Sequence, residues 1–119
     1  MARYRYKADI CTASKKTRDK YYQIGLANDK YVVESYILFQ KPYDLDEDEN
    51  PEAEQNGIYA EANGDRCFNK VEYVKITSTT FEASVYGSIF EIDISEIKIT
   101  KKFLEYAQEI FGDRLKLER

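Results

Sequence analysis

The first residues of the chain alternate between apolar and polar side chains. Tyr4, Tyr6 and Ala8 fall on one side of an extended chain, and charged residues fall between them. A period of two residues is typical of a strand with one buried face, so we predict a first strand over residues 3–10. The segment at residues 13–20 carries four basic residues without an apolar period and is predicted to be a loop.

Two apolar runs then indicate a hairpin. The first alternates over residues 22–26, and the second, residues 31–40, is β-branched and aromatic along almost its whole length. Residues 28–30, with the sequence Asn-Asp-Lys, separate them and tolerate a tight turn. Because the second run leaves almost no polar face, we predict a central strand that is covered on both sides. Pro42 ends this strand, since proline cannot donate a hydrogen bond to a sheet.

Four further strands are predicted in the second half of the chain. They cover residues 57–62, 71–77, 81–86 and 89–94. Each is bounded by turn-forming residues, including the sequence Asn-Gly-Asp after the first. Between the last two strands, Gly87 and Ser88 are predicted to form the two-residue type II′ turn of a hairpin.

The C-terminal part of the chain carries a helical pattern. Its apolar residues recur at the spacing of one helix face. They are Phe103, Leu104, Ala107, Ile110 and Phe111. Thr100 is a suitable N-cap and Gly112 a suitable stop, which predicts one amphipathic helix between them. Residues 113–119 are predicted to form a frayed tail or a short extra strand.

These elements predict an α+β fold with a mostly antiparallel sheet. We expect about six to seven strands, with the C-terminal helix packed across the one apolar face that the sheet leaves uncovered. The 119 residues fit a single domain spanning residues 1–119. With 43% hydrophobic residues, the chain can bury a core without metals or disulfides.

The composition excludes most common kinds of active site. The chain has no histidine, which excludes Ser-His-Asp triads, Cys-His pairs and histidine metal sites. Its five glycines are far apart, so no glycine-rich loop can bind a phosphate. Glu91 and Asp93, or Glu61 with either, have the chemistry of a glycosidase dyad, but exposed sheets commonly carry such pairs. We therefore predict a protein that is not an enzyme and needs neither a metal nor a cofactor.

Two cysteines and the N-terminal sequence bear on the compartment. Cys11 and Cys67 cannot complete a tetrahedral zinc site without histidine unless carboxylates contribute. The basic N-terminus lacks the apolar stretch of a secretory signal, and no stretch approaches the roughly 20 apolar residues of a membrane-spanning helix. We expect a soluble, cytoplasmic protein with no membrane partner and with both cysteines reduced, and a disulfide between them stays an open alternative.

The most distinctive feature is an acidic loop at about residues 44–56. Seven acids and no base fall within residues 44–54. The whole chain has 22 acids and 18 bases, so without these seven it would carry 15 acids against 18 bases. Such a concentration of charge is either a solubilising loop or a surface for a cationic partner. An EF-hand calcium loop is a weak match, because the sixth position lacks glycine and Pro51 interrupts the segment.

Tyr43 is the best candidate for an exposed aromatic anchor beside the acidic loop. It lies between Pro42 and the acids, outside every predicted strand. If the loop binds a partner, the acids join Tyr43 in that contact. The acids predicted to contact the partner are Asp44, Asp46, Glu47, Asp48, Glu49, Glu52 and Glu54.

Nucleic-acid binding is an alternative for the N-terminal region. Seven basic residues between positions 3 and 20 interleave with tyrosines, and together they could form a basic, aromatic face. The isoelectric point of about 5.0 and the acidic loop oppose the approach of phosphate. We therefore predict no nucleic-acid partner.

Four short motifs in the middle of the chain resemble a known family. They are YILFQKP at residues 36–42, DEDE at 46–49, GIYAE at 57–61 and VEYVKI at 71–76. An apolar strand ending near FQ and a basic residue, then an acidic stretch, then a G-x-Y-x-E strand, is similar to the immunity protein 10 family of bacterial polymorphic toxin systems. The resemblance covers about the middle third to half of the chain.

The resemblance implies a small α+β protein that neutralises a toxin made by the same or sibling cells. The motif positions are Phe39, Gln40, Gly57, Tyr59 and Glu61, which either contact the toxin or shape the fold. We therefore predict an immunity protein that binds a cognate, basic toxin in the cytoplasm. The alternative is a non-catalytic β-rich adaptor or a homo-oligomeric protein, in which the acidic loop is only a solubilising insertion. An immunity gene should lie directly downstream of a large toxin gene, whereas an adaptor gene need not.

Overall fold

The computed structural model describes residues 2–28, 35–43 and 57–119. These residues form an α+β fold, as predicted, with ten strands and one α-helix. The strands lie in two sheets of five strands each, where the sequence predicted one sheet of six to seven. The number of strands is higher than predicted for two reasons. The predicted strand over residues 3–10 divides into two, and the short strands at residues 65–68 and 115–118 were not predicted with certainty from the sequence.

The strands and the helix have the following bounds. In chain order the strands are β1 Arg3–Lys7, β2 Ile10–Lys16, β3 Tyr21–Ala27, β4 Tyr36–Pro42, β5 Tyr59–Ala62, β6 Asp65–Phe68, β7 Val71–Thr77, β8 Thr80–Val85, β9 Ser88–Asp93 and β10 Leu115–Glu118. The helix α1 covers Lys101–Phe111, and a 3-10 turn follows at Gly112–Arg114.

The two sheets differ in topology. Sheet two contains β2 to β6 in chain order, and all of its neighbours are antiparallel. Sheet one has the order β1-β9-β8-β7-β10. Its two edge strands, β1 and β10, pair in parallel with β9 and β7, and its inner pairs are antiparallel. Sheet two is thus a sequential meander, whereas sheet one takes its edges from the two ends of the chain.

The chain changes sheets near its N-terminus, at Ala8 and Asp9. The prediction of one continuous strand over this region was therefore wrong. The Ala8 amide donates to the Asp93 carbonyl of sheet one at 2.9 Å. The Asp9 amide donates to the Ala27 carbonyl of sheet two at 2.8 Å. Consecutive amides bond to different sheets and so tie the two sheets together at this corner.

The predicted loop at residues 13–20 is wrong over its first half, where β2 continues to Lys16. β2 pairs with β3 along its whole length, and Ala13, opposite Ile24, packs against the core. Pairing with a neighbour and burial of one side chain therefore outweigh the polar local sequence. The chain turns only after Lys16, and Lys20 ends the turn with a φ of 56°.

β4 is the middle strand of sheet two, as its apolar sequence predicts. Ile37 and Phe39 are buried on its inner face. Leu38 and Gln40 on the opposite face are only half-buried, so the prediction of cover on both sides was wrong. Of the predicted Asn-Asp-Lys turn before this strand, only Asn28 is among the described residues.

Two hairpins close through two-residue turns with left-handed backbone. Asn63 and Gly64 have φ of 51° and 92° and connect β5 to β6, a strand whose polar sequence did not predict it. Tyr86 and Gly87 have φ of 51° and 79° and connect β8 to β9. Positive φ at both positions identifies type I′ turns. The predicted type II′ turn was wrong by one residue, because Ser88 already belongs to β9.

The predicted C-terminal helix is confirmed. The Phe103 amide donates to the Thr100 hydroxyl at 3.0 Å and so caps the helix, and Gly112 ends it with a φ of 53°. After the helix, the chain forms β10, the extra strand that was one of the two predictions for the tail. Among the helices that the structure describes, none is long and apolar enough to cross a membrane.

Four phenylalanines at the centre join the helix to both sheets. Phe39 of β4 lies edge-on to Phe111 of α1, with ring centroids 4.9 Å apart. Phe81 of β8 lies 6.1 Å from Phe39 and 6.2 Å from Phe103 of α1, again between centroids. Each of the four is at most 2% exposed. The helix therefore packs against residues of both sheets, where the sequence predicted a single sheet with one covered face.

Candidate partner-binding site

The five family-motif positions divide between the interior and one surface. Phe39 is fully buried in the core. Gly57 has a φ of 69°, and its amide donates to an asparagine side chain at 2.8 Å, which fixes the backbone before β5. Gln40, Tyr59 and Glu61 are half-buried on a sheet surface. Phe39 and Gly57 therefore shape the fold, and the other three are accessible to a partner.

The three accessible positions lie side by side on sheet two. Side chains alternate along a strand, so these three point away from the inner face that carries Phe39. The register places Gln40 directly opposite Tyr59 across β4 and β5. We define the outer face of sheet two by Gln23, Tyr36, Leu38, Gln40, Tyr59, Glu61 and Arg66.

Hydrogen bonds hold the polar side chains of this outer face in place. Glu61 accepts one bond from the Tyr36 hydroxyl and another from the Tyr59 hydroxyl, the latter at 2.5 Å. The Gln40 side chain donates to the Gln23 side chain at 2.8 Å. Because these groups are already held, a partner that binds them would immobilise few additional side chains.

The two phenols also set the charge of Glu61. Their hydrogen bonds stabilise the carboxylate and hold the pKa of Glu61 below its usual value. The bond to Glu61 raises the pKa of Tyr36, and burial together with the same carboxylate raises the pKa of Tyr59. At neutral pH the outer face therefore presents one carboxylate between two neutral phenols, with the Arg66 guanidinium nearby.

Tyr43 lies just after β4, and its side chain is half-buried. Its ring centroid is 5.0 Å from that of Tyr22 and 4.8 Å from the Lys15 ammonium. Its hydroxyl donates to the Lys16 carbonyl at 3.3 Å, and its amide donates to the Lys20 carbonyl at 2.9 Å. Tyr43 is therefore held against the β2–β3 hairpin, and its contact with a partner stays a prediction.

The acids predicted to contact a partner, from Asp44 to Glu54, lie outside the described residues. They belong to residues 44–56, which connect β4 to β5. Because β4 and β5 are antiparallel neighbours, this connection leaves and rejoins sheet two at the same end. The segment that carries the acids is therefore joined to β4 and β5 at the strand ends nearest Gln40 and Tyr59, and the contact of its acids with a partner stays a prediction.

The basic, aromatic face considered for the N-terminal region is divided in the described structure. Arg3 and Arg5 both form ion pairs with Glu91 of β9, the second at 2.9 Å. Tyr4 points to the opposite side of β1, where its ring stacks on Phe90 with centroids 4.9 Å apart. The basic residues of β2 belong to the other sheet. The positive charges and tyrosines therefore do not form one continuous surface.

The acids considered for a glycosidase dyad are engaged in other bonds. Glu91 pairs with two arginines, and Asp93 accepts hydrogen bonds from the Ser95 amide at 2.8 Å and hydroxyl at 2.6 Å. The Ser95 bonds hold the pKa of Asp93 below its usual value. A glycosidase acid needs a raised pKa, so Asp93 has the opposite electrostatic environment. Glu61 lies on the other sheet.

Cys11 and Cys67 lie on β2 and β6, the two edge strands of sheet two. Four strand spacings of about 4.8 Å separate these edges, which is too far for a disulfide within the chain. Both thiols are free and half-buried, and burial raises the pKa of each. They are therefore protonated at neutral pH.

The structure also contains a cleft that was not expected from the sequence. It lies where β1 and the β8–β9 turn face β5 and β6, and its volume is about 320 Å³. We call it the inter-sheet cleft and define it by Tyr4, Ala62, Asp65, Cys67, Tyr86 and Phe90. Tyr86 is 74% exposed and Tyr4 is 42% exposed. The one signal in the sequence is a large aromatic residue in a tight turn, at Tyr86.

Relationships to other proteins do not add to these observations. Comparisons with protein-family models, with curated proteins and with solved structures each find no significant match. Two candidate sites therefore remain. One is the outer face of sheet two together with residues 44–56 between β4 and β5, which we call the acidic connection, and the other is the inter-sheet cleft.

Proposed function

We propose that the chain is an immunity protein that binds and neutralises a cognate toxin of a bacterial polymorphic toxin system. It would act in the cytoplasm, by protein–protein contact and without catalysis. One observation carries the proposal: Gln40, Tyr59 and Glu61 lie together on the outer face of sheet two, and the segment with seven acids joins the two strands that bear them. The motif resemblance and the charge pattern thus converge on one region.

The outer face has properties that suit a protein partner. Tyrosines offer large apolar area with a polar tip, and they are enriched among residues that dominate binding energy. Tyr36 and Tyr59 are both half-buried and both fixed by Glu61. A face with oriented donors and acceptors loses little side-chain entropy on binding, which favours affinity.

The charge distribution supports a basic partner. The segment between β4 and β5 carries seven negative charges, while the remainder of the chain has more bases than acids. A local field of one sign accelerates the encounter with a partner of the opposite sign and has less effect on dissociation. A toxin that binds nucleic acid would provide such a basic surface.

The test uses the product of the large gene directly upstream as the binding partner. We expect the wild-type chain to bind it and to protect cells that express it. Tyr59→Ala should weaken the affinity by at least about tenfold if this tyrosine is a central contact. Tyr73→Ala is the matched control, because Tyr73 is also a half-buried tyrosine hydrogen-bonded to a glutamate, Glu82 at 2.8 Å, but on the outer face of sheet one.

The outcomes separate the proposal from its alternative. Equal losses for the Tyr59 and Tyr73 variants would reject the outer face of sheet two as the contact surface. A wild-type chain that neither binds the neighbouring product nor protects the cell would reject the immunity function. Self-association of that same chain in sedimentation experiments would then favour the homo-oligomeric alternative.

A further inference from the structure

The inter-sheet cleft concentrates exposed aromatic side chains. Tyr4 stacks on Phe90 within it, with ring centroids 4.9 Å apart. Four large hydrophobic side chains are exposed in the described part of the chain, and two of them, Tyr4 and Tyr86, line this cleft. Single exposed apolar residues are common, but a group of them around one concavity is typical of a binding site.

Tyr86 occupies a backbone position that suits other residue types. It is the first residue of a type I′ turn and has a φ of 51°, where asparagine, aspartate and glycine are preferred. Its side chain is 74% exposed, so burial in the core does not offset this unfavourable conformation. Such a residue indicates a function for its side chain. The exposed Tyr86 ring is therefore available for a contact outside the chain.

The chemistry of the cleft favours a positively charged ligand. The Lys70 ammonium lies 5.5 Å from the Tyr86 ring centroid, so this ring already attracts one cation within the chain. Asp65 adds an exposed carboxylate to the lining. Arg66 also borders the cleft, but it lies opposite Glu61 in the register, and its charge acts on that carboxylate on the outer face. The cleft lining thus contains two acids, Glu61 and Asp65, against one base, and the stacked Tyr4 and Phe90 rings add aromatic surface for a cation from outside.

We propose that the inter-sheet cleft binds an arginine side chain of the basic toxin. The identity of this partner rests on the proposed function. Arginine has an apolar stem that fits aromatic walls and a planar guanidinium that stacks on tyrosine and pairs with a carboxylate. A volume of about 320 Å³ accommodates one such side chain. β5 borders the cleft through Ala60, Glu61 and Ala62, and Glu61 also belongs to the outer face of sheet two, so one partner can reach both.

The first experiment titrates the isolated chain with Nα-acetyl-arginine amide while backbone amide shifts are recorded by NMR. Nα-acetyl-leucine amide is the control probe, because it is apolar and uncharged. We expect the arginine probe to shift the amides of Asp65 and Ser88 and the leucine probe to leave them in place. Equal shifts with both probes would show an apolar cleft without cation preference and would overturn the proposal.

Three variants sharpen this titration. Tyr86→Asn removes the ring but supplies a residue that suits the turn, so the fold should be retained. Tyr86→Asn and Asp65→Asn should each weaken binding of the arginine probe by at least about threefold, since each removes one attraction for the guanidinium. Leu117→Ser is the control, because Leu117 is 47% exposed on β10 and lies outside the cleft lining. Unchanged affinity in both cleft variants would overturn the proposal.

The second experiment measures the affinity of the same variants for the product of the upstream gene. We expect Tyr86→Asn and Asp65→Asn to bind it about tenfold more weakly than the wild type, because a desolvated anchor contributes strongly. Binding as tight as that of the wild type would reject the cleft as a toxin contact while the immunity function stands. Absence of wild-type binding would reject the immunity function, and the probe titration would still decide the arginine preference.

Discussion

Glu61 gains both a fixed position and a fixed charge from two neighbouring tyrosines. A carboxylate accepts several hydrogen bonds, and each donor lowers the free energy of the charged form. Tyr36 reaches Glu61 from β4 and Tyr59 reaches it along β5, so the three side chains lock two strands together on their outer side. The arrangement that orients this face therefore also links the stability of the protein to pH.

On acidification, the free energy of unfolding should fall less for Glu61→Gln than for the wild type. The folded-state pKa of Glu61 lies below its usual 4.5, so near this value the folded protein binds fewer protons than the unfolded chain. The stabilising contribution of Glu61 is therefore present above the unfolded pKa and is lost as the pH falls through the folded pKa. Urea unfolding of wild type and Glu61→Gln at about pH 7 and about pH 3 measures the difference.

Glu109→Gln provides the control for this experiment, because Glu109 is exposed on α1. We expect the difference in unfolding free energy between wild type and Glu61→Gln to become smaller at low pH. The difference between wild type and Glu109→Gln should stay small at both pH values. A Glu61 gap that is the same at both pH values would contradict the role assigned to the two phenol bonds.

At the scale of the elements, α1 is held by its buried stripe. Its first turn contains no acid and its last turn contains no base, so side-chain charges do not favour its dipole. The stabilisation must come from the Thr100 cap and from the burial of Phe103, Ala107, Ile110 and Phe111. Loss of one of the buried rings should therefore be costly for the whole protein.

Phe103→Ala should lower the free energy of unfolding by about 3–5 kcal/mol, because it leaves a cavity beside Phe81. Glu109→Ala on the exposed side of the same helix should change it by no more than about 0.5 kcal/mol. Urea unfolding followed by circular dichroism measures both values. A loss below about 0.5 kcal/mol for Phe103→Ala would place the helix outside the core.

Elements with a strong period were predictable from local sequence, and elements that depend on distant partners were not. β7 has the predicted bounds, and Thr100 and Gly112 marked the ends of α1 correctly. β6 and β10 are short and polar, and they gain their stability from pairing with β5 and β7. The corner at Ala8 and Asp9 contains neither glycine nor proline, so nothing in the local sequence marks the change of sheet.

At the scale of the whole molecule, the missing information was the pairing of chain ends with remote strands. An apolar period shows that a strand has a buried face, but it does not show which strand lies beside it. For this reason one sheet was predicted where there are two, and the inter-sheet cleft could not be foreseen. The motif resemblance selected Gln40, Tyr59 and Glu61, and their shared face became evident only from the register of β4 and β5.

If the proposed toxin is the partner, the acidic connection should act on the rate of encounter with it. Changing Asp46, Glu47, Asp48 and Glu49 to asparagine or glutamine should slow association by about tenfold and weaken its dependence on salt, because these charges act over long range. Dissociation should change less, since short-range contacts determine it. Surface plasmon resonance at two salt concentrations measures both rates against the product of the upstream gene.

A second variant, with three acids neutralised elsewhere in the chain, tests whether position matters in addition to charge. Neutralising Glu105, Glu109 and Asp113 removes three exposed acids from α1 and the turn after it, outside residues 44–56. We expect a smaller effect on association than that of the acidic connection, and we expect unfolding free energies close to wild type for both variants. An unaltered association rate in the neutralised connection would leave it as a solubilising insertion.

The parallel edges of sheet one impose an order on biosynthesis. The strands of sheet two follow one another along the chain, so its hairpins can pair while a ribosome is still extending the polypeptide. β1 is made first but can pair only after β9 has been made. One edge of β7 stays unpaired until β10, the last strand, has been made.

In refolding, pulsed hydrogen exchange should protect the amides of β3 and β4 before those of β1 and β9, because contacts between distant residues form slowly. Simultaneous protection would show that both sheets form as one unit. Sheet one is therefore incomplete until β10 has been made, and under the proposed immunity function a cell would need finished molecules in reserve before it met the toxin.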